Sequence, residues 1–427
     1  MNKQMKGPDM LYQPLRAFAI VTLMLTLPTN ASAEKSVSNP SELREALRSS
    51  RTGETILLQP GDYGVVDIHN FSATAPVVLR AAGAGAPVRF TGLNLSNVSN
   101  ITLDGILFDY RYQKGDVQWT SPFDVVDSQK VTIRNSRFDG DVVTGGTPVD
   151  RGYGNGRGLS IDASRDIAVL NNQISIFHRG LVVSNSDNVT VSGNDISAIR
   201  SDGMNFIAVQ SLLVENNYVH DLRISEASDD HPDMIQFWTA GTDRPTTDVI
   251  LRNNVLNSGH SGWSQSILIG NEVVREGKAG GSMFYRNFTI TGNVIINSHL
   301  HGITVGETKG LVIANNTLIH NRLTDGSSHN PSLWTPQINV SERAENVSIL
   351  NNLTPAINGA DQRPDWKVQG NYLTQDSSPS KAGFVGGIFA DAVRGDPRDL
   401  KSFTYLPGGP AGGGNLGAPR LLHPDSR

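Results

Sequence analysis

Two aspartates stand at matching places in one repeated segment. Asp202 precedes Gly203-Met204-Asn205-Phe206, and Asp233 precedes Met234-Ile235-Gln236-Phe237. Arg179, Arg200 and His231 belong to the same stretch of chain. These residue types suit three kinds of chemistry. An imidazole can take a proton from carbon while a guanidinium neutralises the charge that develops. Two neighbouring carboxylates can break a glycosidic bond. Asp202 and Asp233, with Asp230, can also offer hard oxygen ligands to a calcium ion. No other cofactor is required by the pattern, and calcium itself is optional.

Whether these groups meet depends on the elements that carry them. The middle of the chain repeats. An apolar strand ending in Asn-Asn or Gly-Asn is followed by a second short apolar run, as in Ala168-Val169-Leu170-Asn171-Asn172 and Phe288-Thr289-Ile290-Thr291-Gly292-Asn293. The pairs end at residues 136, 172, 194, 217, 254, 293, 316 and 352, at intervals of 36, 22, 23, 37, 39, 23 and 36. The short intervals are one coil of about 22 residues, and the long ones are a coil plus a loop. A second strand series runs between them: Leu159-Ser160-Ile161, Leu181-Val182-Val183, Met204-Asn205-Phe206, Ile235-Gln236-Phe237, Ile267-Leu268-Ile269, Ile303-Thr304-Val305 and Ile338-Asn339-Val340. A propeller blade needs about 40 residues and four strands, so the pattern predicts a parallel β-helix instead. The repeated asparagines are expected to be structural, hydrogen-bonded up the stack as buried turn amides.

Aligning the second series puts equivalent residues about 4.8 Å apart on adjacent strands. One column then reads Arg157, Arg179, Asp202, Asp233, Gln265, His301, Pro336. A second reads Ser160, Val182, Asn205, Gln236, Leu268, Thr304, Asn339, and a third Asn155, Phe177, Arg200, His231, Trp263, His299, Trp334. These side chains are expected to face solvent. His231, Asp233, Asp202, Arg200 and Arg179 form the candidate catalytic group. Asn205, Gln236, Trp263, Gln265, His299, His301 and Trp334 are the candidate substrate contacts. Two exposed carboxylates side by side repel, so Arg179, Arg200, a shared proton or calcium must offset them. Insertions at residues 139–157, 220–232, 258–265 and 320–336 are expected to wall this face, with 271–287 opposite.

The net charge of -5 and the absence of a lysine-rich stripe argue against nucleic acid as a partner. There are no cysteines. Arg16, the apolar run 17–27 and Ala31-Ser32-Ala33 match an export leader. The run is too short to span a bilayer comfortably, so stable membrane insertion is not expected. The expected organisation is a leader over residues 1–33 and one all-β domain, a right-handed parallel β-helix over 34–427. Within it, 34–64 is a capping segment with a short helix capped by Ser41, about 65–375 are coils, and 376–427 is an irregular closing segment, frayed from Leu421 onward. The mature protein is expected to be a periplasmic or secreted monomer.

The stretch "SELREALRSSRTGETILLQPGDYG" resembles the opening of right-handed parallel β-helix proteins that act on polysaccharides. It is most similar to polysaccharide lyase family 6, which includes alginate lyases and chondroitinase B. The resemblance implies this fold and an acidic polysaccharide as partner. The Lys and Arg that the family uses have no counterpart here, since Lys278 lies in a loop and Lys309 follows the second strand. "DDHPD" is loosely similar to the "DPHD" motif of alginate epimerases. Four functions follow as expectations: a lyase acting by β-elimination on a uronate-containing glycan, with His231 as base; a C5-epimerase sharing its first step; a glycoside hydrolase using Asp202 and Asp233; or a non-catalytic matrix protein that binds glycan.

Overall fold

A computed structural model describes residues 34–83, 85–260, 264–326, 330–360 and 363–424. The expected leader and Trp263 lie outside these residues. The rest is an all-β parallel solenoid with a short capping helix, and residues 33–427 make one compact unit. Among the described residues, no helix is long and apolar enough to cross a membrane.

Each full coil lays down three strands, and each strand pairs in parallel with its equivalent one coil away. Two of the three faces run through a single 22-stranded sheet, and the third is a 12-stranded sheet. Both expected strand series are present. The asparagine-terminated series includes Arg165–Leu170, Asp187–Ser192 and Gln210–Glu215. The second series, here called the site face, includes Arg157–Asp162, Arg179–Ser184, Met204–Ile207, Asp233–Phe237, Gln265–Ile269, His301–Val305 and Gln337–Val340. The short apolar runs after each asparagine pair, such as Gln173–Ser175 and Val255–Asn257, form the third face. Alternate aliphatic and aromatic residues of all three faces fill one continuous core.

The asparagine pairs explain themselves at the corner between the first and third faces. The first member turns the chain with a positive φ, between 51 and 56° at Asn135, Asn171, Asn216, Asn253, Asn315 and Asn351. Asparagine tolerates that region and glycine adopts it freely, which is why Gly193, Gly292 and Gly370 replace it. The second member points inward. From Asn172 to Asn371, each Nδ2 donates to the Oδ1 of the next coil at 2.9–3.1 Å. The same Oδ1 accepts the backbone N–H of the preceding asparagine. Every coil thus satisfies its neighbour's buried amide.

Three details differ from expectation. The helix Pro40–Ser49 is capped by Asn39, whose Oδ1 accepts from the N–H groups of Ser41 and Glu42 at 3.0 Å each. Pro40 takes the first helical turn, so the cap falls before it rather than at Ser41. On the site face, His301 pairs with Gln337, not Pro336, because the register shifts between His301 and Ile303. Proline has no N–H for a ladder, and the strand starts one residue later. Finally, Leu421 is not frayed. The closing segment lies along the outside of the third face, where Ile388, Phe389, Phe403, Tyr405 and Leu421 cover Val255, Val294, Ile296, Ile319 and Leu353. Polar ties hold it there, among them His320 Nδ1 to Asp376 at 2.7 Å and Asn257 Nδ2 to the Pro397 carbonyl at 2.8 Å.

Candidate functional site

The first two expected columns form, up to the slip at Pro336. Arg157 pairs with Arg179, Asn205 with Gln236, and Asp233 with Gln265. Asp202 and Asp233 sit on consecutive coils, and the Gly203 N–H donates to the Asp233 carbonyl at 2.8 Å. Lateral contact between the two acids is therefore as the spacing predicts. Their exposure is not: Asp202 is 2% exposed and Asp233 0%. The residue two before the strand is buried among its neighbours on the face instead of turned out to water.

Burial makes the two carboxyls unlike. Asp202 is saturated with donors. Arg179 Nε reaches it at 2.9 Å, Asn205 Nδ2 at 3.1 Å, Ser201 Oγ at 3.2 Å and the Asp233 N–H at 3.3 Å. Both oxygens of Asp233 lack any hydrogen-bond partner. Desolvation, and then the charge of Asp202, push the Asp233 carboxyl well above its usual range, against the pull of Arg179. Arg179 thus partners Asp202, and Asp233 is the member of the pair pushed toward its neutral form.

Arg179 is the group of this cluster that reaches the surface. Its side chain is 30% exposed, and its guanidinium carbon lies 5.5 Å from the ring centre of Trp238. Asp202 aims it from beneath. Trp238 was missed because it follows the strand and belongs to none of the three columns.

Arg200 is a correction. Expected to face a substrate, it is 1% exposed. Its Nη1 meets Asp150 at 2.8 Å and its Nη2 meets Asp230 at 3.2 Å. Asp150 belongs to the wall 139–157 and Asp230 to the wall 220–232. Gln118 Nε2 also reaches Asp150, at 3.4 Å, from a third loop, and Ser225 Oγ donates to the Val149 carbonyl. Arg200 is thus the tie between the walls. His178, which belongs to none of the three columns, is buried with its Nε2 3.7 Å from Asp230. His178 and the Arg200 charge hold the Asp230 carboxyl well below the usual carboxylate range. The calcium option needs Asp202, Asp233 and Asp230 on one ion, but Asp230 is turned to Arg200. Among the described residues, no three acidic or histidine side chains gather as metal ligands.

The remaining candidates divide. His231 is exposed at the end of its wall. Asn205 is fully buried, because its amide bridges Asp202 and Gln236 Oε1, so it is not a substrate contact. Gln236 is half-buried on the face. Gln265 lines a cleft of about 530 Å³ with Leu268, His301, Thr304, Asn339 and Arg275. Arg275 comes from the insertion expected opposite. His301 Nδ1 is 2.8 Å from Thr304 Oγ1, and the His299 ring lies 5.1 Å from that of His301. Burial, with His301 nearby, pushes His299 down to about 4, and burial also lowers His301. Trp334 is half-buried beside Gly326.

With this geometry in place, comparison with known proteins supports the fold. The family described as "Right handed beta helix region" matches residues 57–256. The chain is a right-handed parallel β-helix. It is similar in structure to PfbA, a surface adhesin of Streptococcus pneumoniae, with TM-score 0.50 and 11% identity over 78% of this chain and 88% of that one. It is also similar to the periplasmic alginate epimerase AlgG, with TM-score 0.45 and 11% identity over 87% and 75%. The PL6 family alginate lyase AlyGC gives TM-score 0.43 and 18% identity over 82% and 53%. At these identities the likeness is one of fold. No curated protein matches the chain in sequence.

Proposed function

We propose that this protein is an exported polysaccharide lyase that cleaves an acidic, uronate-containing glycan lying across the coils of the site face. The observation that carries the reading is Arg179, a partly exposed guanidinium held at 2.9 Å by a buried carboxylate. In β-elimination, the C5 proton leaves, its electron pair passes through C5, the C4–O bond breaks, and a C4=C5 double bond remains. Arg179 neutralises the uronate carboxylate and so stabilises the charge that builds up as the proton departs. Exposed His231 takes that proton. Asp202 positions Arg179. The departing oxygen takes a proton from water as it leaves. The cleft from Gln265 to Asn339 receives the continuing chain, with His301 and Arg275 among its contacts.

Burial of both acids speaks against the hydrolase reading, which needs two carboxylates that touch the sugar. The test is incubation with a panel of acidic polysaccharides. A rise in the ultraviolet absorbance of an unsaturated uronate, lost in Arg179→Ala and His231→Ala, supports the lyase. New reducing ends without absorbance mean hydrolysis. Binding without either product means a glycan-binding protein or an epimerase, which proton exchange at C5 separates.

A further inference from the structure

On the site face, two coils before Arg179, lies the strand Phe123–Val126. The loop that leads into it is firmly braced. Tyr110 Oη donates to Asp116 at 2.7 Å, the Val117 N–H to Thr120 Oγ1 at 3.0 Å, and Asn155 Nδ2 to the Val117 carbonyl at 3.2 Å. Gln118 reaches Asp150 in the neighbouring wall. Amid these ties, Trp119 is 65% exposed, the highest value among the exposed large hydrophobics of the described residues. A tryptophan held at the tip of a rigid loop in water costs apolar hydration with no packing in return.

The surroundings say what would cover it. The Thr120 carbonyl accepts from the Arg157 N–H at 2.8 Å, and Ser121 Oγ lies 2.9 Å from Ser160 Oγ on the site face. Trp119 therefore stands at the edge of that face. Next to it are hydroxyls, the Asp124 carboxyl and Arg157, whose buried Nε makes no hydrogen bond. Arg157 pairs with Arg179 in the next coil, so two guanidinium groups lead from this edge to the centre of the face. An aromatic plane flanked by hydroxyls and cationic groups is the surface that a uronate ring needs. One face of the sugar is C–H, and its rim is hydroxyl and carboxylate.

We infer that Trp119 is a stacking platform for a sugar ring of the acidic glycan, with Arg157 and Ser121 as its polar contacts, at a subsite two coils from Arg179. This deepens the proposed function and rests on it. Two strand spacings are about 10 Å. A glycan several residues long reaches both Trp119 and Arg179, and a disaccharide at Arg179 does not.

The test measures binding of alginate, polygalacturonate and hyaluronate, and of their size-fractionated oligosaccharides, to the wild type, Trp119→Ala and Trp119→Phe. Trp119 is on the surface, so both variants are expected to unfold at the wild-type temperature. Trp119→Ala should bind the polymer and the octasaccharide about three- to tenfold more weakly. It should bind the disaccharide as the wild type does, and Trp119→Phe should recover part of the loss. Unchanged polymer binding by Trp119→Ala overturns this inference and leaves the proposed function standing. So does an equal loss for every chain length. Failure of the wild type to bind any of the three acidic polymers overturns both.

Discussion

The backbone N–H of Asp233 donates to the carboxylate of Asp202 at 3.3 Å, and the carboxyl of Asp233 accepts nothing in return. Two chemically identical residues on consecutive coils thus sit in opposite surroundings. One carboxyl is wrapped in donors, and the other is buried without a partner, which pushes it well above the usual carboxylate range.

This asymmetry should appear in paired substitutions. An aspartate whose folded pKa is raised binds its proton more tightly when folded, so its contribution is present at low pH and is lost as pH rises. Asp233→Asn removes that loss. It should fold at least as stably as the wild type at neutral pH, with a flatter dependence of unfolding temperature on pH. Asp202→Asn should cost about 1–3 kcal/mol, because Arg179 loses its buried partner. Thermal unfolding followed over a pH series checks both.

Arg200 joins two walls through Asp150 and Asp230. Arg200→Ala strands both carboxylates, and breaking such a buried pair typically costs about 3–5 kcal/mol. Both acids keep some contact with water, so a value near about 3 kcal/mol is expected. Arg200→Lys should recover little, since one ammonium cannot present two separated N–H donors in a fork. Hydrogen exchange should quicken in residues 139–157 and 220–232 first.

The asparagine ladder should respond as a chain of couplings. The Asn254 side chain receives two hydrogen bonds from Asn217 and gives one to Asn293 and one to the Val214 carbonyl. Asn254→Ala leaves several buried groups unpaired, and a loss of roughly 2–4 kcal/mol is expected. Urea unfolding measures it. Substituting exposed Asn188 should change far less.

Two coils before Arg179 on the site face, burial pushes the Asp124 carboxyl up to about 6, against the nearby Arg157 charge and the Ser160 and Ser121 hydroxyls. The sign matches Asp233. Stability from this group is full below about pH 4 and is lost as pH rises through about 6. Asp124→Asn should therefore stabilise the protein at pH 7 and have little effect at pH 4. Unfolding midpoints at the two pH values decide it.

Much of this architecture was legible because a solenoid is a one-dimensional problem. A fixed interval between Asn172, Asn194 and Asn217 gives the coil, and the coil gives the lateral neighbours of Asp202. Depth was not legible. Periodicity says that Asp202, Asn205 and Arg200 leave the core, but not that all three are buried there, Arg200 by loops from elsewhere. Arg200 shows why. Its partners lie 50 residues upstream and 30 downstream in irregular segments with no period to align. Trp119 was silent for the same reason, since its loop precedes the first clear repeat. The slip at Pro336 and the cap at Asn39 are each decided by one proline, a local effect below the resolution of a 22-residue repeat.

The closing segment has a bearing on how this protein must be handled. The third face of a solenoid ordinarily meets water, yet here Val255, Val294, Ile296, Ile319 and Leu353 are roofed by residues from beyond 380. A chain shortened at the last recognisable rung would keep every coil and still carry an oily stripe along its flank. Such a fragment would lay that stripe open to water, and the tail that looks dispensable on paper is what covers it.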